Sequence, residues 1–434
     1  MGQVSSGIDW AKKYTFRFVD SNKYYEESVT ITPKTNATNI KIPCRNTHEL
    51  LNFTAKSFDV SGCDTVEIFA SAEVIVHGKV SSSNGFTAGF LALPDDDLGT
   101  EYLVDCYTPI NQTTQVAISA ISNDTTITVN CTSNCTFNGS SVSGSFQLGA
   151  GESGILKSTE NNTEMTGTYI GSNKPISVIV GAFNIFIPRE TNTRNKGHGV
   201  VMELLLPISA WGRTHIVPPF RDTPNGWILR ISAINSSTNV SLTNCEITGN
   251  VTKLLNSKEF ADITVNGTNQ RMCLIEADQS IQVMQYVASS RTSPEEFGDP
   301  SMTVIPAVSR YHGDTSVSKV RKKEFNYTMD VVTTSEEPPM INGSTVDRIN
   351  QTQSLIINGT QFFLYTFELQ IGRYQVTRRN QSDRMWVRLY TLHNTLGAAM
   401  LGDVGVSVRN NDKITDIKGK NDELKKKVSK FVTP

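Results

Sequence analysis

Long helices are what this 434-residue chain most lacks. No apolar stripe at helical spacing runs for 12 residues before the last twenty or so, which excludes helical bundles and alternating βα architectures. No apolar stretch reaches 18 residues, so no membrane-spanning helix is expected, and no secretory h-region opens the chain. Catalytic signatures are scarce too. The six histidines, at 48, 77, 198, 215, 312 and 393, include no His-Glu-x-x-His; no phosphate loop occurs, and Gly151-Glu-Ser-Gly154 has the wrong spacing for a nucleophile elbow. Excess charge is also missing. Forty Lys and Arg against 42 Asp and Glu give a formal charge of -2, and nothing in that balance supports a nucleic-acid or anionic-membrane partner. Lys322-Lys323 and Lys425-Lys426-Lys427 read as solvated faces or tails. The acidic run Asp95-Asp96-Asp97 beside Glu101 either caps a loop, the reading we prefer, or supplies oxygen ligands to Ca²⁺. The chain is therefore expected to be no enzyme and to carry no cofactor.

What is present is repetition. Leu91-Ala-Leu93-Pro94, four residues and Gly99 recur as Leu204-Leu-Leu206-Pro207, four residues and Gly212, while Ile118-Ser-Ala-Ile121 recurs as Ile231-Ser-Ala-Ile234. Both recurrences share an offset of 113 residues, which points to a duplicated structural unit rather than one large enzyme domain. Val116, Ile118 and Ala120 share one face of a strand, as do Trp227, Leu229, Ile231 and Ala233, the pattern of half-buried strands. The turn formers Ser122-Asn123-Asp124 and Asn235-Ser236-Ser237 then lead into Ile127-Thr-Val129 and Val240-Ser-Leu242, so each copy is expected to hold a β-hairpin. A third, looser copy begins near Gly298 and includes the aromatic runs Phe362 to Phe367 and Trp386 to Tyr390.

The expected class is all-β: tandem, repeated antiparallel β-sandwich-like units with little helix. The expected spans are a partly irregular β segment at 1–60, units at 61–190, 191–297 and 298–410, and a tail or linker at 411–434, where Leu424, Val428 and Phe431 share a helical stripe.

Asn-x-Ser/Thr occurs at Asn36, Asn52, Asn111, Asn123, Asn130, Asn134, Asn138, Asn161, Asn235, Asn239, Asn250, Asn266, Asn326, Asn342, Asn350, Asn358 and Asn380. These seventeen sequons compare with about seven expected from composition, an excess that favours a glycosylated ectodomain with its acceptors on exposed loops. Asn123 and Asn235 occupy corresponding turns of the two copies. Seven cysteines lack the spacing of a zinc site. Cys245 with Cys273, Cys44 with Cys63, and Cys131 with Cys135 are the candidate disulfides. Cys106 is left over, either a buried free thiol or an intermolecular bridge.

Leu93-Pro-Asp-Asp-Asp-Leu-Gly-Thr-Glu-Tyr102 with Tyr107-Thr-Pro109, Thr166-Gly-Thr-Tyr-Ile170 with Lys174-Pro-Ile-Ser-Val178, Leu206-Pro-Ile-Ser-Ala-Trp-Gly212 and Gly298-Asp-Pro-Ser-Met302 resemble the N-terminal domain family of IgGFc-binding protein. Fainter likeness continues through Ile341-Asn-Gly-Ser-Thr345 and Gly372-Arg-Tyr-Gln-Val376, so that about residues 60 to 410 are covered. The resemblance implies a secreted or cell-surface, noncatalytic module recognising proteins or glycoproteins, mucin-like or immunoglobulin-like, in mucus, matrix or body fluid. It also accounts for the absent signal peptide as that of a partial or trimmed chain. It supplies no contact residue, and Cys106 stands where the family's pattern has a small hydroxyl residue.

Two further readings remain open: a lectin-like module, for which Tyr107, Trp211, Trp227 and Trp386 are the rings to test, and a sugar-coated structural spacer. The stretches 53 to 110 and 162 to 234 carry no sequon. Within the second, the polar loop Arg189 to His198, with Arg189, Arg194 and Lys196, is expected to be exposed and mobile and to contact acidic mucin glycans.

Overall fold

The computed structural model describes residues 10–21, 25–82, 87–142, 144–189, 199–220, 223, 225–245, 247, 251–267, 271–293, 296–311, 313–319, 327–344, 351–370, 372–393 and 396–400, with backbone alone at 251, 290–293, 296–298, 318–319, 351–352 and 391–400. The fold is all-β, every strand pair is antiparallel, and the only helical elements among the described residues are four single 3₁₀ turns. The expected helical stripe near Leu424 lies outside these residues.

One pairing scheme organises the chain. In its clearest form a long strand, Tyr169–Ile185, serves two sheets at once. Its first half lies between Gly99–Leu103 and Thr125–Asn130; its second half lies between Gln115–Ala120 and Gly199–Leu204. Ser145–Leu148 and Ser153–Ser158 extend the two sheets outward. The same roles recur in order around Cys273–Val287, with Gly212–Val217 and Thr238–Thr243 on its first half, Trp227–Ala233 and Ser301–Ile305 on its second. They recur again at both ends of the chain, with the long strand broken in two. Val66–Ala70 and Val74–Ser82 share it in one case, Gly372–Thr377 and Met385–His393 in the other. Four units result, spanning about 12–92, 99–204, 212–305 and 315–400.

This frame differs from the spans drawn on the sequence. Leu-x-Leu-Pro starts in the last strand of one unit and runs into the linker to the next, and the segment before residue 60 pairs its strands like the others. The expected hairpins are also corrected. Gln115–Ala120 and Thr125–Asn130 do not pair with each other; both run antiparallel to the long strand, one after the other, separated by the turn at 121–124. The long strand supplies their hydrogen bonds, so the turn steps the chain from one sheet to the next.

The recurrent glycine has a steric cause. After each of the first three units a 3₁₀ turn, at Asp95–Asp97, Ile208–Ala210 or Val308–Arg310, packs on that unit's own first strand. A Cβ built on Gly99 would lie 2.4 Å from Cβ of Pro207, and one on Gly212 would lie 2.4 Å from Cβ of Ala307. Only a residue without a side chain permits this approach.

The last strand of each unit, Thr87–Ala92, Gly199–Leu204, Ser301–Ile305 and Leu396–Met400, packs on the next, and the fourth packs on the first. The units thus close into a ring. Arg373 of the fourth unit donates from Nε to the Pro33 carbonyl of the first at 3.1 Å. At the centre, Glu203 accepts from the backbone N–H of Leu204 at 3.0 Å and of Val304, in the next unit, at 3.2 Å. Strands near this centre have no solvent face. All six residues of Gln115–Ala120 and all seven of Trp227–Ala233 are buried, where alternation had predicted one wet face. The neighbouring unit covers the second face.

Gly99→Ala is expected to cost about 1–3 kcal/mol in urea denaturation, because the linker must move away from the first strand. Burial pushes the Glu203 carboxyl up to about 8. The folded state therefore binds this proton more tightly than the unfolded chain, so the stabilisation is complete below the usual carboxylate range and is lost as pH rises toward about 8. Stability measured between about pH 5 and pH 8 should fall with rising pH, and Glu203→Gln should reduce that fall. Asp299, pushed up to about 8 by burial, keeps part of it in the variant.

Candidate functional site

Fourteen of the seventeen acceptor asparagines are described, and all fourteen are exposed; Asn250, Asn326 and Asn350 lie outside the described residues. Asparagines outside sequons are mixed: Asn39, Asn162 and Asn184 are half-buried, while Asn46, Asn173, Asn225, Asn244 and Asn256 are exposed. Asn123 and Asn235 project from equivalent turns, and Asn138, Asn342 and Asn358 sit at tight turns with positive φ followed by glycine.

The cysteines fix the loops that lead into the long strands. Cys44–Cys63 and Cys245–Cys273 are bonded, and both join the end of a unit's third strand to the start of its long strand. In the second unit Cys131 bonds Cys135 instead. The equivalent gap there is bridged by Thr132, whose backbone N–H donates to the Thr168 hydroxyl at 3.1 Å. Cys106 is free and wholly buried, and desolvation raises its thiol pKa strongly.

The rings singled out in the sequence are not on the surface. Trp227 and Trp386 are core residues, Trp211 is buried with its Nε1–H donated to the Leu206 carbonyl, and Tyr107 packs under the Arg230 guanidinium. Each belongs to a strand or linker whose apolar face is covered. Asp95 accepts from the Thr15 hydroxyl at 2.8 Å, with Lys13 at 3.9 Å, and Asp96 pairs with Lys12 at 3.6 Å. These carboxylates tie the first linker to the first strand. Arg189 is exposed, and its backbone N–H donates to the Tyr107 hydroxyl; Arg194 and Lys196 lie outside the described residues.

Two buried arginines, not anticipated from the sequence, hold the seams between units. Arg230 in Trp227–Ala233 makes two 2.7 Å bonds to the Asp262 carboxylate of its own unit. Across the seam its Nη1 donates to Glu164 at 2.6 Å, to Thr166 at 3.0 Å and to the Cys106 carbonyl at 3.2 Å, while its plane stacks over Phe260. Asp105 enters the same seam, accepting from the hydroxyls of Tyr286 at 2.7 Å and Ser232 at 2.9 Å, and its pKa is pushed up to about 6 by burial. One seam on, Arg388 pairs with Asp330 and donates to the carbonyls of Pro218 and Pro219 and to Gln285. The available signal was a lone arginine inside an apolar strand, Ile228-Leu-Arg230-Ile231 or Trp386-Val-Arg388-Leu389. Such a charge is kept only when paired.

Beside that last seam lies a cleft of about 880 Å³ between the third and fourth units. Its walls are the linker turns Ile208–Ala210 and Val308–Arg310 and the start of Gly212–Val217 on one side, and the turn at 357–360 with residues 382 and 384 on the other. Three arginines, Arg213, Arg310 and Arg384, line it, and among the described residues no Asp or Glu does.

Fold and surface together define a class: a tandem-repeat, disulfide-containing all-β protein whose described sequons all face outward. Within that class the chain belongs to the IgGFc binding protein family, whose model matches residues 88–387, most of the chain. Neither a curated protein nor a solved structure matches it. The family is one of extracellular binding modules.

Arg230→Met is expected to destabilise the fold by about 3 kcal/mol, because Asp262, Glu164 and Asp105 lose their shared cation. Urea denaturation measures the loss.

Proposed function

We propose that this chain is a secreted or cell-surface glycoprotein module that recognises protein or glycoprotein partners without catalysing a reaction. The observation that carries the reading is the exposure of every described sequon asparagine. Three disulfides and membership of the IgGFc binding protein family support the same compartment and the same kind of role. An immunoglobulin Fc region is one partner of the proposed kind, by the family's description; mucin-like glycoproteins are another.

Glycans on the acceptor asparagines leave the sequon-free stretches as contact surface, including 162 to 234 with the exposed Arg189. Loops and turns held on a rigid sheet scaffold suit this use. Sugar on all four units would also make the ring resistant to proteases, a spacer property compatible with binding rather than opposed to it.

Peptide mapping of the unreduced protein from its native source is expected to find glycans at Asn36, Asn123, Asn235 and Asn358 and a bridge from Cys245 to Cys273. Bare asparagines with seven free thiols would overturn the extracellular reading. A pull-down from body fluid or mucus, with bound proteins identified before and after enzymatic removal of the glycans, then separates recognition by the polypeptide from recognition through its sugars.

A further inference from the structure

We propose that the cleft between the third and fourth units binds an anionic oligosaccharide, sulfated or sialylated, through Arg213 and Arg384. The proposal rests on the reading of the chain as an extracellular recognition module and specifies its ligand chemistry.

The charge is one-sided. Arg213, Arg310 and Arg384 face the cleft, and no carboxylate lines it among the described residues. Arg310 is the fixed member, since its Nε donates to the Ala210 carbonyl at 3.1 Å and Nη2 to the Ser209 carbonyl at 2.5 Å, which holds the two linker turns together. Arg213 and Arg384 are exposed. Among the described residues neither Arg213 nor Arg384 forms an ion pair, and Asp278, held by Asn239, is not among the described residues that line the cleft. The two guanidinium groups are thus available to an incoming anion, with the planar donor fork that sulfate and carboxylate groups accept.

The rest of the lining favours a sugar over an acidic peptide. Hydroxyls of Ser209, Thr214, Ser280, Ser309, Thr360 and Ser382 surround the arginines and can both donate to and accept from saccharide hydroxyls. An acidic peptide would instead present backbone and carboxylates to a lining whose one amide side chain among the described residues is Asn358. Residues 208 to 214 also belong to a sequon-free stretch, so one wall stays clear of the protein's own glycans. The exception is Asn358, an acceptor at the tip of the opposite wall.

The test is a titration of the glycosylated full chain with four short probes: a sulfated oligosaccharide, a sialylated one, a neutral one and an oligoglutamate peptide. The expected result is binding of one or both acidic saccharides, weakened about tenfold or more in Arg213→Ala/Arg384→Ala and reduced by salt, with the neutral probe unbound. Which of the two acidic saccharides binds identifies the anionic group. Arg384→Glu should abolish binding, and Asn358→Gln should retain it. Both arginines are exposed, so unchanged melting temperatures are expected and confirm folding. Equal affinity in the double variant, no binding of either acidic saccharide, or oligoglutamate bound as tightly as the saccharides would overturn the proposal. Bare sequons with saccharide binding intact would overturn the extracellular reading and leave the cleft standing.

Discussion

The structure depends on strands that have no face to give to water. Gln115–Ala120 and Trp227–Ala233 are buried on both sides, and Gly199–Leu204 and Ser301–Ile305 are buried throughout. An isolated unit would expose one of those faces along its whole length, so each unit needs its neighbours. With four units of this kind, the arrangement that leaves no such face exposed is a closed one, and the last strands accordingly meet in a cycle. The disulfides and linker turns act within this constraint by fixing how each unit presents its faces.

Burying both faces creates a problem of specificity, because apolar surfaces alone would accept many relative placements. Polar groups at the seams resolve it. Gln115 exchanges hydrogen bonds with the backbone of Asp20, Arg230 donates to Glu164 and the Cys106 carbonyl, and Arg388 donates to the carbonyls of Pro218 and Pro219. Each has a direction and a length, and misplacing a unit by one strand residue would leave a charge or amide buried without a partner. Sequence motifs follow the same logic. The serine in the repeated Ile-Ser-Ala-Ile is Ser232 in the third unit, whose hydroxyl donates to Asp105 of the second.

The repeat and the all-β class were legible because two constraints act through single residues: a glycine where the linker presses on the first strand, and strand residues fixed by seam contacts. The first unit read only as a partly irregular β segment and the fourth only as a looser copy for the converse reason. Their long strands are broken, at residues 71–73 and 378–384, and strand pairing can be preserved by patterning without keeping any residue identity. The hairpin expectation failed because a turn between two β runs reads the same whether the runs pair with each other or with a third strand far along the chain. The sequons are local triplets and can be read directly, whereas the cysteine pairs were candidates whose connectivity only the folded chain fixes. The arginine cleft was not, since residues 208–214 and 357–384 meet only when the ring is built.

The bond from Arg373 to Pro33 joins residues 340 positions apart. In a linear array of units, cutting one linker separates the molecule into two pieces that can drift apart. Here every unit is gripped from both sides, so a single break in any linker merely moves the ends of the chain to a new place on an unbroken circle, and the recognition surfaces on either side of the cut keep their relative positions.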